Sequence, residues 1–164
     1  MEWSAIHSSR ILVLGCGNIL KGDDGVGPAV ALRVADDPRL PDGAHALDLG
    51  TSIKHLLFDI VTMKPEALRR IIIVDAAAQE NRTPGEFWEI DVDQIKEEKI
   101  KDYSIHMFPS VNLLKKIKEE ANIDLRIIAV QTGYIPEELD ECLTPAIEAA
   151  VPKIVDYVLE ICAE

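Results

Sequence analysis

The sequence predicts an α/β fold in three layers, with a mostly parallel, twisted central sheet and helices on both faces. Three observations carry that prediction. Short apolar runs alternate with amphipathic stretches along the whole chain. One run, Ile71-Ile72-Ile73-Val74, is unbroken and β-branched, which marks a central strand buried on both faces. The chain has 164 residues, 48% of them hydrophobic and 28% charged, which suits one domain with one sheet. A single domain over residues 1–164 is expected, with 1–9 as a flexible N-terminus.

The elements follow in order. Ile11 to Cys16 reads as a short buried strand followed by turn residues. Gly25 to Asp36 reads as a helix, because Val26, Val30 and Val34 recur at helical spacing and Pro28 falls in its first turn. Pro38 to Gly43 is a loop and Ala44 to Leu49 a second strand. Ser52 is placed to cap a helix through Leu56, Leu57 and Ile60. Arg70 to Ala76 is the central strand, closed by Asp75. Thr83-Pro84-Gly85 is a turn, and Glu86 to Val92 alternates as a strand near an edge. Asp93 to Asp102 is charged and expected to be exposed. Pro109 to Glu120 reads as a helix, Leu125 to Val130 as the last strand, and Thr144 to Ile161 as a C-terminal helix that starts at Pro145 and bends at Pro152.

Charge and cysteine content exclude several classes. The net charge of -12 disfavours nucleic acid and anionic membrane surfaces, both of which call for a basic patch. No apolar run is long enough to span a bilayer, and no signal peptide is recognisable in Met1 to Arg10. Cys16, Cys142 and Cys162 form no Cys-x-x-Cys pair, so a disulfide framework is not expected and the setting is read as reducing and cytoplasmic.

In parallel sheets the functional loops lie at the carboxyl ends of the strands. After the first strand comes Gly15-Cys16-Gly17-Asn18-Ile19-Leu20-Lys21-Gly22-Asp23-Asp24-Gly25-Val26-Gly27. This is a poor dinucleotide fingerprint. Leu20 stands where the third glycine belongs, and two aspartates stand where a pyrophosphate would need donors. One of Asp23 and Asp24 is explained as a helix-start acid, but a pair flanked by glycines exceeds what a cap needs. Asp75 closes the most apolar strand, where a parallel sheet opens into its crevice. Of the four histidines, His106, in a loop before a helix, is best placed to reach the same crevice; His7, His45 and His55 are not. Asp24, Asp75 and His106 together form a candidate divalent-metal site suited to nickel, zinc, iron or manganese. The chain has no Gly-x-Ser-x-Gly elbow and no His-Glu-x-x-His motif, and Cys16 has no basic partner nearby in sequence.

The stretch from Leu14 to Gly27, Gly-x-Gly-Asn-x-Leu-x-x-Asp-Asp-Gly-x-Gly, resembles the N-terminal signature of hydrogenase maturation proteases. Further blocks follow in that family's order: Asp48-Leu49-Gly50-Thr51, Ile72-Ile73-Val74-Asp75-Ala76, Ser104-x-His106 and Leu143-Thr144-Pro145. The pattern is most similar to archaeal members serving deazaflavin-reducing hydrogenases. Ser52-Ile53-Lys54 departs from it where a further glycine is common.

The resemblance implies an endopeptidase that removes the C-terminal extension from the precursor of a nickel-iron hydrogenase large subunit, once nickel has been inserted. It implies Asp24, Asp75 and His106 as the metal-contacting and catalytic residues, with nickel supplied by the precursor. Another divalent metal can take the place in isolation. The expected partner is that precursor, with no nucleic acid and no membrane, and the expected state is a monomer. A non-catalytic nickel chaperone or assembly factor on the same fold is the rival from another class.

Overall fold

The computed structural model describes residue 6 and residues 8–94, 111–120 and 123–164. Five strands form one sheet: β1 (Ile11–Cys16), β2 (Ala44–Gly50), β3 (Arg70–Ala77), β4 (Phe87–Ile90) and β5 (Asp124–Gln131). Their order across the sheet is β2-β1-β3-β5-β4. β1 runs parallel to β2 and β3, β3 runs parallel to β5, and β4 closes the edge antiparallel to β5. The described helices are α1 (Val26–Ala35), α2 (Ile53–Met63), α3 (Val111–Glu120) and α4 (Pro145–Ala163).

The expected three layers follow from the period-2 alternation of strand side chains. Along β3, Ile71, Ile73 and Ala77 join one core with Leu56, Leu57 and Ile60 of α2 and Leu114 and Ile117 of α3. Ile72, Val74 and Ala76 join the opposite core with Val30 and Val34 of α1 and Val151, Ile154 and Val158 of α4. Ile71, Ile72 and Ile73 have no exposed surface. Burying each is worth about 1.5–3 kcal/mol. A run apolar at every position is therefore what a strand covered on both faces requires.

Several boundaries differ from the sequence reading, each for a local reason. β3 does not end at Asp75. It continues through Ala77 because β5 goes on pairing with it, Asp75 opposite Ala129 and Ala77 opposite Gln131. β4 is shorter than Glu86 to Val92, because a 3-10 turn at Val92–Gln94 takes over. Ser52 sits at the N-cap of α2 but makes no side-chain capping bond. α4 passes through Pro152, which lies on the exposed face where the carbonyl that loses its donor can meet water. The stretch 95–102, with Pro109, lies outside the described residues. None of the described helices is long and apolar enough to cross a membrane.

The topology locates the crevice. From β1 the chain crosses to β2 on one side, whereas from β3 it moves towards β5 and β4 on the other. β1 and β3 are thus adjacent strands with diverging connections, and ligands of open α/β sheets bind at the carboxyl ends of such a pair. The β1–β3 ladder ends with Gly15 opposite Val74. Asp75 is the first residue beyond the point where β1 turns away.

Candidate active site

The turn after β1 is built by close backbone approach. At Gly27 a Cβ would sit 2.1 Å from the Cys16 carbonyl oxygen and 2.5 Å from that of Val74. Only glycine lets the start of α1 lie directly on β1 and β3. At Gly17, φ is +132° and a Cβ would fall 1.8 Å from the Asp24 carbonyl oxygen. These two close approaches hold the 3-10 turn Gly22–Gly25 against β3.

Asp24 is 5% exposed, and its Oδ2 accepts a hydrogen bond from the Asn18 backbone N–H at 2.8 Å. Asn18 Oδ1 in turn accepts from Leu20 N–H at 2.9 Å, which shapes the turn between them. Asp75 is fully buried, and its Oδ1 accepts from Ala76 N–H at 2.9 Å. By strand alternation its side chain lies on the face covered by α2 and α3. Asp24 follows β1 in the 3-10 turn and Asp75 lies near the carboxyl end of β3, so both belong to the carboxyl end of the sheet. His106 lies outside the described residues, so the geometry of the predicted triad is described only for its two aspartates. Among the described residues, no three His, Cys, Asp or Glu side chains are gathered to hold a metal ion. His45 bonds Ser9 Oγ through Nδ1 at 2.8 Å near the start of β2, and His55 is exposed on α2.

Cys16 is fully buried and packs as a small hydrophobe. Burial pushes its thiol well above the ordinary range, and the Asp75 and Asp48 carboxylates add to the rise. A thiol so held is no nucleophile. A groove of about 410 Å³ is lined by Gly17, Asn18 and Ile19 of the first turn, where Asn18 N–H bonds Asp24, and by Asp48 to Thr51 of the second. Asp48 Oδ1 accepts from Gly50 N–H at 2.8 Å and Gly17 N–H donates to Gly50 O at 3.0 Å, so the two turns form one wall.

Asp23 is the residue that sequence reasoning undervalued. It caps no helix of its own. Fully buried, its carboxylate accepts Gly133 N–H at 2.8 Å, Tyr134 N–H at 2.9 Å, Thr144 N–H at 2.7 Å and the Thr144 hydroxyl at 3.0 Å. The Thr144 hydroxyl, at the N-cap of α4, thus serves Asp23 and makes no capping bond to its own helix. Backbone pairs reinforce the join: Gly22 N–H to Asp140 O at 2.6 Å, Asp140 N–H to Leu20 O at 3.1 Å and Asp23 N–H to Tyr134 O at 3.1 Å. The paired aspartates differ: Asp23 pins the turn to the C-terminal loop, whereas Asp24 bonds Asn18 within the turn.

The chain is similar to known proteins over nearly its whole length. The sequence model of the hydrogenase maturation protease family matches residues 29–161. The coenzyme F420 hydrogenase subunit delta of Methanothermobacter thermautotrophicus is 30% identical over 158 residues, covering 94% of this chain and 95% of that protein. The hydrogenase 2 maturation protease of Escherichia coli is 29% identical over 152 residues, 92% of this chain and 88% of its own. Among solved structures, the hydrogenase maturating endopeptidase HybD from E. coli superposes with a TM-score of 0.68 at 28% identity, over 93% of this chain and 91% of that one. The chain belongs to the hydrogenase maturation protease family, and with it to the peptide-bond hydrolases of hydrogenase maturation.

Proposed function

We propose that this protein is the endopeptidase that removes the C-terminal extension of the nickel-loaded precursor of a nickel-iron hydrogenase large subunit, with Asp24, Asp75 and His106 as its catalytic residues. The observation that carries the reading is the placement of two buried carboxylates at the carboxyl ends of β1 and β3, next to the Gly17 to Ile19 turn that lines an open groove of about 410 Å³. His106 shortly precedes Val111, the first residue of α3, and α3 covers the face on which the Asp75 side chain lies. Two carboxylates and an imidazole suit a borderline divalent ion such as nickel.

The nickel arrives with the precursor and is part of the substrate. It supplies a Lewis acid for the scissile carbonyl or for a water. Asp24, Asp75 and His106 hold and orient that end of the precursor. Water adds to the carbonyl carbon while an Asp24 carboxylate oxygen takes its proton. The C–N bond then breaks, and the same proton passes to the departing amine. The chain needs no serine or cysteine nucleophile for this. Its three cysteines are free, which fits action in the cytoplasm.

The test is to incubate the protein with nickel-loaded and nickel-free precursor side by side and weigh the products by mass spectrometry. Loss of the C-terminal peptide from the loaded precursor alone is expected. Asp24→Asn, Asp75→Asn and His106→Ala should each fold and leave the precursor at full length. Normal processing by all three variants would remove the assignment, and nickel-dependent binding without cutting by the unmodified protein would make it an assembly factor.

A further inference from the structure

The loop after β5 carries three large apolar side chains in the open: Leu139 is 73% exposed, Tyr134 52% and Ile135 41%. Scattered exposed apolar residues need no explanation, but three within one short loop form a patch. The same loop holds Glu137, Glu138, Asp140 and Glu141, and residues 133–143 include no lysine or arginine. Lys21, which reaches the loop, is engaged by the carbonyls of Pro136 and Glu137.

The loop is also fixed. Asp23 holds Gly133 and Tyr134, Pro136 is buried, and Asp140 pairs with Leu20 and Gly22. A surface ordered in advance loses little conformational entropy on binding. It is continuous with the groove as well, because Ile19, 52% exposed, lines the groove and directly precedes the Leu20 to Gly22 stretch that pairs with Asp140.

We propose that residues 134–141 are the docking ridge for the precursor. A segment of that protein sets apolar side chains among Tyr134, Ile135 and Leu139 and brings lysine or arginine to Glu137, Glu138 and Glu141. Charge complementarity selects the occupant: apolar anchors ringed by carboxylates fit a basic segment and repel an acidic one. The inference rests on the reading above that the substrate is a hydrogenase precursor. Asp23 then keeps the ridge and Asp24 in one register, so that a docked segment can feed its continuation into the groove.

The experiment uses the full-length protein and the nickel-loaded large-subunit precursor of the source organism, with Kd from fluorescence anisotropy and KM and kcat from cleavage. The triple variant Glu137→Lys, Glu138→Lys, Glu141→Lys should raise Kd and KM about tenfold or more at low salt, and the gap should close as salt rises. Leu139→Ser should weaken binding about fivefold at any salt, as expected for loss of an apolar anchor. In both, kcat should stay within about twofold. A control of equal charge change elsewhere, Asp36→Lys, Glu66→Lys, Glu160→Lys, should bind as the unmodified protein does. Unchanged Kd in both ridge variants, or an equal loss in the control, overturns the proposal and leaves the peptidase reading intact. Binding without cleavage by the unmodified protein defeats the peptidase reading, and the Kd comparison still decides the ridge. Failure of the unmodified protein to bind the precursor at all defeats both.

Discussion

Replacing Asp23 by asparagine should destabilise the protein by about 2.5–6 kcal/mol, through bonds that can be counted. The carboxylate accepts three backbone N–H groups and one hydroxyl at a fully buried position. An asparagine keeps most of them with its amide oxygen where Oδ2 stands, facing Gly133, Tyr134 and the Thr144 hydroxyl. Its NH2 then confronts Thr144 N–H, which sits 2.7 Å from Oδ1 in the native protein. One stranded buried donor costs about 1–3 kcal/mol. The three retained bonds weaken by roughly 0.5–1 kcal/mol each when a neutral amide replaces a carboxylate. The opposite amide orientation strands two donors and is worse.

Asp23→Ala strands all three N–H groups, a loss of about 4–8 kcal/mol, against a total stability of about 5–15 kcal/mol for a domain of ordinary size. Urea unfolding measures both losses. Hydrogen exchange should show Gly133, Tyr134 and Thr144 amides opening far earlier in Asp23→Asn than in the native chain. Asp24→Asn is the comparison at the neighbouring carboxylate, whose bond to Asn18 N–H stays within its own turn. A loss below about 1 kcal/mol for Asp23→Asn, or equal losses at both positions, would refute the difference between the two aspartates.

Gly27→Ala should fail to yield folded protein or lose more than about 4 kcal/mol, because the methyl meets backbone oxygens of two strands; Gly25→Ala, whose methyl would meet the Ile19 Cα at 3.1 Å, should be far milder, and thermal melts compare them. Iodoacetamide at pH 8 should label the exposed Cys142 first, sparing buried Cys16 and also Cys162, whose thiol burial pushes up to about 11; peptide mapping of early adducts reads the order, and early labelling of Cys16 would contradict its packing. Glu89 is held below the ordinary 4.5 by Arg126, so its contribution to stability is present above pH 4.5 and disappears as pH falls through its lowered folded value; Glu89→Gln should flatten that part of the acid-unfolding curve, and an unchanged curve would show the pair to be idle.

The fold was readable where the pattern is local. The unbroken apolar run Ile71 to Val74 within β3 marks cover on both faces, and the valines of α1 repeat at the helical period within one short stretch. The edge position of β4 was readable from its alternation, in contrast to the unbroken apolar run of β3. Bond partners far apart in the chain were not. The partners of Asp23 lie 110 to 121 residues away, so nothing beside it distinguishes a pin from a cap. The end of β3 was misjudged because an aspartate reads as a terminator, whereas β5 supplies ladder partners as far as Gln131. Asp24 and Asp75 were legible as site candidates through position alone: one follows the first strand, the other leaves the ladder where β1 turns away.

The Asp23 join also governs when the site can come into being during synthesis. A chain halted after β3 already holds both aspartates, yet it lacks Gly133, Tyr134 and Thr144, the residues that secure the turn between them. The beginning of the protein therefore waits for its end. An unfinished copy leaving the ribosome has its first turn unfastened, and the join closes only when the loop after β5 and the start of the last helix have been made.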